Sequence, residues 1–173
     1  MQLKLIHEAI PGRKIDHDSD DVEFVFLDDY DINSDDDSVQ QALANRMHCD
    51  LDDVFTHAGI RISNSKKFTI AALVKGDAIG GISSEVYTDN DTGEHIYSFD
   101  VAVDPSWQGY QDVGRKLIDM AIYEAKKART HIIRLFVINR KLADFLDGKY
   151  GFEGNSDHEE DGRWHPVVME KYL

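Results

Sequence analysis

Residues 99–117, Phe-Asp-Val-Ala-Val-Asp-Pro-Ser-Trp-Gln-Gly-Tyr-Gln-Asp-Val-Gly-Arg-Lys-Leu, constrain the fold of this chain more than any other stretch. They read as a strand, a short turn rich in glycine and amides, and the start of a helix. Such a junction leaves backbone N–H groups pointing outward, and the helix dipole there favours negative charge. It is a place to hold phosphate.

The rest of the chain supplies elements to pack around that junction. Residues 2–8 alternate as a first strand, which Pro11-Gly12 ends, and residues 23–27 read as a short second one. Residues 38–47 predict a helix capped by Ser38, with Val39, Leu43 and Met47 on one face. Residues 50–57 predict a second short helix that starts at Asp50 and stops at Gly59. A three-strand meander follows over 68–74, 78–87 and 95–103, joined by turns at 75–77 and 89–94. Gly80 and Gly81 in its middle strand allow close backbone approach. Residues 112–129 form the strongest helical pattern, with Val113, Leu117, Ile118, Ala121, Ile122, Ala125 and Ala128 on one face. A strand at 131–138, a helix at 139–149 and a last strand at 164–172 complete the order. The expectation is a single α/β (α+β) domain over 1–173 with a central mixed sheet.

The chain has 173 residues, enough for one domain with a core, and a net charge of −14. That charge argues against binding a nucleic-acid backbone. No apolar run approaches the roughly 20 residues that span a bilayer. The first ten residues carry no signal-peptide core, so a cytoplasmic protein is expected. Residues 15–45 contain no Lys or Arg but many Asp. The segment at 15–37 is either a surface that attracts a cationic substrate or basic protein, or a solvated, flexible acidic loop. No stretch there has the spacing of a calcium loop.

Cys49 is the sole cysteine, so no internal disulfide is possible. Asp50, Asp52 and Asp53 follow it and disfavour a thiolate, so a core or surface cysteine suits the position better than a catalytic one. The cluster His158, Glu159, Glu160, Asp161, Arg163 and His165 lacks a specific metal-ligand spacing and reads as a solvated hairpin tip. No metal is expected.

Two signatures together resemble the GNAT superfamily of N-acetyltransferases. Val103-Asp104-Pro105-Ser106-Trp107-Gln108-Gly109 is similar to the opening of its acyl-CoA signature, and Val113-Gly114-Arg115-Lys116-Leu117-Ile118 to its close. Leu135-Phe136-Val137-Ile138-Asn139, then Ala143 and Tyr150-Gly151-Phe152, are similar to the second signature. The resemblance covers roughly residues 68–173. It implies a mostly antiparallel sheet flanked by helices and splayed between the strands at 95–103 and 131–138.

It also implies acetyl-CoA as co-substrate and a primary amine as acceptor. Val101 and Val103 would pair with the pantetheine arm. Gln108, Gly109, Tyr110, Gln111, Val113, Gly114 and Arg115 would cradle the pyrophosphate, with Asn139 completing the site. Trp107 either shields the cofactor or packs. The loop departs from the family pattern by one extra residue and a missing middle glycine. Asp112 either competes with the phosphate, offset by Arg115 or Lys116, or serves as a helix N-cap.

For catalysis, Glu85 and Asp100 are the best-placed bases, and Tyr150 is a displaced candidate for the acid. Asp147 stands where the family usually has its tyrosine. The alternative is that Glu85 and Asp100 face solvent and Tyr150 packs. The expected function is transfer of acetyl from acetyl-CoA to an amine of a cationic small molecule or basic protein, by a monomer or a dimer. The alternative is a catalytically inactive binding or inhibitory module of the same fold.

Overall fold

The computed structural model describes residues 21–27, 39–154, 159–160 and 163–173, with backbone alone at 39–45, 159–160 and 163–164. In chain order the elements are β1 (Val22–Phe26), α1 (Val39–His57), β2 (Lys67–Val74), β3 (Asp77–Thr88) and β4 (His95–Val103). A 3-10 turn (Pro105–Trp107), α2 (Val113–Lys127), β5 (Ile132–Val137) and α3 (Arg140–Tyr150) follow. The chain closes with β6 (Glu153–Gly154), β7 (Glu159–Glu160), β8 (Arg163–Trp164) and β9 (Val167–Tyr172). Seven strands form one sheet in the order β1-β2-β3-β4-β5-β9-β6, and β7 and β8 form a separate ladder. The sheet is mixed: β1–β2, β5–β9 and β6–β9 are antiparallel and β4–β5 is parallel. The described residues divide into two compact units, one holding those up to Ser83 with Val101–Met120, the other Ser84–Asp100 with those from Ala121 on.

In the first unit, α1 packs an apolar stripe on the strands. Leu51, Val54 and Phe55 are almost fully buried, in clusters with Val25, Ala71, Leu73 and Ala102. Each such side chain contributes about 1.5–3 kcal/mol on burial. The two helices expected at 38–47 and 50–57 are therefore one continuous helix. No Pro or Gly interrupts residues 47–51, and the stripe from Met47 through Leu51 to Val54 and Phe55 keeps a single helical face, so packing overrides the capping chemistry of Asp50. The helix leaves no room for a side chain at Gly81. A Cβ there would stand 2.6 Å from Leu51 Cδ2 and 2.8 Å from the Ile70 carbonyl oxygen.

In the second unit, β4 and β5 pair from Ile96↔Ile132 to Phe99↔Leu135, and β5 pairs along its length with β9. A parallel pair needs a long crossover, which α2 supplies. The ladder ends at Phe99, although β4 runs on to Val103 and β5 to Val137. Pairing between those two strands thus stops short of both strand ends. The last strand begins at Val167 rather than 164, because Pro166 has no N–H for a ladder; residues 163–164 pair instead with 159–160 as the expected hairpin. Helix α3 ends at Gly151 in the left-handed conformation, whose N–H bonds Asp147 and leads to the buried Phe152. The strand expected at 2–8, the Ser38 cap and most of the acidic segment lie outside the described residues.

Candidate functional site

The β4–α2 junction is built around Asp104. Its carboxylate accepts from the Ser106 hydroxyl and from the Ser106 N–H at 2.9 Å, and His57 Nδ1 stands 3.5 Å away. The Ser106 hydroxyl and then its N–H, with His57 adding, hold the carboxyl below its usual range. The Asp104 N–H bonds the Ile79 carbonyl at 2.8 Å, which anchors the loop to the sheet. Trp107 packs edge-on against Tyr110, ring centroids 5.1 Å apart.

The loop then takes an unusual path. Gly109 has φ +80°, and Gln111 and Asp112, which are not glycines, have φ 45° and 57°. Left-handed conformations at such residues cost about 1–3 kcal/mol each, and they cluster where a loop is shaped for a ligand. Left-handed steps of this kind turn backbone N–H groups into an anion-binding concavity. This is how the chain accommodates its extra residue. Helical bonding starts with the Lys116 N–H on the Asp112 carbonyl at 3.0 Å, so the N–H groups of Gly114 and Arg115 have no acceptor within the helix.

Asp112 thus occupies the N-cap position by its backbone. Its carboxylate lies 3.3 Å from the Arg115 guanidinium and is well exposed. Among the described residues, Arg115 Nε is buried and has no hydrogen-bond partner. A Cβ at Gly114 would meet only Val103 Cγ2, at an ordinary 3.6 Å. The protein itself does not require a glycine there. Val103 and Gln108 meet directly, Gln108 Nε2 donating to the Val103 carbonyl at 3.4 Å.

The backbone of β4 also has a definite polarity. The Asp89 N–H bonds Glu94, and the Asp104 N–H bonds Ile79, so both ends of the β3–β4 hairpin share one register. Alternation then turns the N–H groups of even-numbered β4 residues toward β3 and those of odd-numbered residues away from it. Val101 and Val103 are odd and lie past the last β5 partner. The nine residues expected at this end, Val101, Val103, Gln108, Gly109, Tyr110, Gln111, Val113, Gly114 and Arg115, form one continuous strand–loop–helix.

The other expected residues lie in the second unit. Asn139 caps α3, its side-chain oxygen accepting from the Leu142 N–H at 2.8 Å, while Tyr150 ends the same helix, packed edge-on against Phe145. The two stand at opposite ends of an 11-residue helix. Glu85 and Asp100 come together. The hairpin register sets Glu85 opposite Ser98, and Asp100 is the next β4 residue on that face. Asp100 is 9% exposed and Glu85 half-buried, so neither is a plain solvent-facing carboxylate.

One group of residues had no motif to announce it. The Arg134 side chain donates from Nε to Glu170 at 2.6 Å and from Nη1 to the Tyr87 hydroxyl at 2.6 Å. Burial works against the guanidinium charge, but Glu170 and Tyr87 outweigh it and hold the group more firmly protonated. Ser98↔Arg134 and Arg134↔Glu170 are ladder partners, so Glu85, Asp100, Arg134 and Glu170 share one face. Only a single arginine inside the otherwise apolar run of β5 hinted at this. Among the described residues, no group of three His, Cys, Asp or Glu is arranged to hold a metal, and Cys49 is exposed. No described helix is long and apolar enough to cross a membrane.

Two solved structures with TM-scores above 0.5 support the fold. A candidate phosphinothricin N-acetyltransferase matches with TM-score 0.56 and 14% identity, over 88% of this chain and 99% of the other. The NatC complex bound to Gag peptide and CoA matches with TM-score 0.55 and 15% identity, over 88% and 98%. The yncA structure from Salmonella typhimurium, solved with its cofactor acetyl-CoA, matches at 23% identity and TM-score 0.49. That match spans 61% of this chain and 65% of yncA. No curated protein matches. The model of the acetyltransferase (GNAT) family matches residues 30–152, well over half of the chain. The chain belongs to the acetyltransferase (GNAT) family.

Proposed function

We propose that the protein is an acetyl-CoA-dependent N-acetyltransferase that acts on a primary amine. The observation that carries this reading is the β4–α2 junction, with its left-handed loop, the N–H groups of Gly114 and Arg115, and the buried, unpartnered Arg115 Nε. These are donors suited to a pyrophosphate. The outward N–H groups of Val101 and Val103 would pair with the pantetheine arm.

In the reaction, the amine nitrogen attacks the thioester carbonyl. A C–N bond forms and the C–S bond breaks. The ammonium must first lose a proton, for which Glu85 and Asp100 are the candidate bases. The sulfur leaves as thiolate and takes a proton from Tyr150 or solvent to become free thiol. The net charge of −14 favours a cationic acceptor, a small molecule or a basic protein.

Millimolar acetyl-CoA should raise the melting temperature, and a panel of amines should release free thiol. No thermal shift with acetyl-CoA or other short acyl-CoAs would overturn the reading. The Asp112–Arg115 pair favours a second reading, a binding or inhibitory module. There Asp112 already holds the guanidinium that a phosphate needs. Asp112→Asn should strengthen the acetyl-CoA shift if the enzyme reading holds. Binding without turnover of any amine would favour the module.

A further inference from the structure

We propose that Arg134 is a positioning residue: it fixes where β4 and β5 part, and so where along β4 an acyl-CoA arm can begin to pair. The inference rests on the acyltransfer reading and deepens it.

The tie is built at one level of the sheet. Ser98, Arg134 and Glu170 are ladder partners on β4, β5 and β9. The hairpin register sets Tyr87 of β3 opposite Ile96, diagonal to Ser98 and on the same face. To meet the Tyr87 hydroxyl, the Arg134 side chain must cross the whole of β4. Strands stand about 4.8 Å apart, so only a long side chain spans two such spacings. Ser98, small and buried, lies in that path and leaves it open. The guanidinium reaches Glu170 through Nε and Tyr87 through Nη1, both at 2.6 Å. One half-buried group thus joins β9 to β3 across the two strands between them.

Its position along the strands carries the inference. At the start of the β4–β5 ladder the His131 N–H bonds the His95 carbonyl at 2.8 Å, and the last partners are Phe99 and Leu135. Arg134 spans the seam one residue before it opens. Beyond that point β5 stays paired with β9 as far as Val137, and β4 stays bonded to β3 as far as Asp104. Only the seam between them ends, and the open end of a ladder frays unless something besides its own hydrogen bonds holds it. Phe99 and Leu135 are buried on the opposite face, but apolar neighbours tolerate small slips. A guanidinium fork on two fixed oxygens does not. Without the tie, the opening runs back to Phe99 and Tyr97, whose amides otherwise bond β5. An arm that pairs as an added strand would then meet two further false starts ahead of Val101.

Native-state amide exchange and acetyl-CoA titration of the full chain test this in two variants. Tyr87→Phe removes the hydroxyl and keeps the ring and the Arg134–Glu170 pair. Arg134→Lys keeps the charge but loses the fork. In both, exchange at Tyr97 and Phe99 should quicken about ten-fold or more, the scale of a hydrogen bond to a charged group. Amides of the β1–β2 ladder should keep their wild-type rates. Acetyl-CoA should bind several-fold more weakly, and saturating acetyl-CoA should restore much of the protection at Phe99. Unchanged exchange at Tyr97 and Phe99 would overturn the proposal, as would uniform quickening that includes β1 and β2, the mark of a merely structural role. Local quickening with wild-type acetyl-CoA affinity would overturn the positioning role and leave acyl transfer intact. Failure of the wild-type protein to bind acetyl-CoA would instead remove the acyltransfer reading and this inference with it.

Discussion

The part of the sheet beneath α1 and the part around Arg134 use opposite chemistry. Beneath α1, Leu51, Val54, Phe55, Ala71 and Ala102 close a dry apolar layer. Around Arg134, the strands present Glu85, Tyr87, Asp100 and Glu170, and leave Phe136 in the open. Apolar packing is forgiving of identity but not of volume, whereas a charge network is forgiving of volume but not of partners. The first region is a packed apolar layer. The second gathers charged and aromatic groups.

Four measurements sharpen that contrast. Gly81→Ala should be the most damaging to stability, because the Ile70 carbonyl oxygen 2.8 Å from the new Cβ is backbone and cannot swing aside. A loss of about 3 kcal/mol is expected, read as a lower midpoint in thermal or urea melts. Arg134→Ala should cost about 2 kcal/mol by leaving Glu170, mostly buried, without its partner. Adding Glu170→Gln should recover part of the loss, and a double-mutant cycle with no coupling would break the network argument.

Asp104→Ala should cost about 1 kcal/mol, as for a lost cap. Its pH dependence has a definite sign. The folded-state carboxyl is held below its usual range, so its contribution is complete above the unfolded value of about 3.9 and fades as pH falls below it. Asp104→Asn should flatten the acid limb of the stability curve. Gly114→Ala should have the smallest effect on stability, a gain of less than about 1 kcal/mol, since the site has room for a Cβ. If the acetyl-CoA shift falls in that variant nonetheless, the glycine serves the ligand and not the fold.

The strand–loop–helix of residues 99–117 was legible because its parts are local: alternation, a glycine turn and a helical stripe in one continuous stretch. Helix α1 was misread as two because capping residues are also local, while the stripe that unites it acts through packing on distant strands. The Glu85–Asp100 and Tyr87–Arg134–Glu170 groupings depend on register between β3, β4, β5 and β9. Register is set by pairing across the sheet, so no spacing along the chain reveals it. The left-handed path through Gln111 and Asp112 was equally hidden, because neither residue advertises a positive φ as glycine does.

The early end of the β4–β5 ladder has a consequence for amide exchange. Odd-numbered amides of β4 face away from β3, so Tyr97 and Phe99 are protected by β5 while Val101 and Val103 lie beyond its last partner. In deuterium, protection should therefore fall sharply between Phe99 and Val101 along a single unbroken strand. Acetyl-CoA should erase that step, slowing exchange at two alternate amides and sparing the one between them.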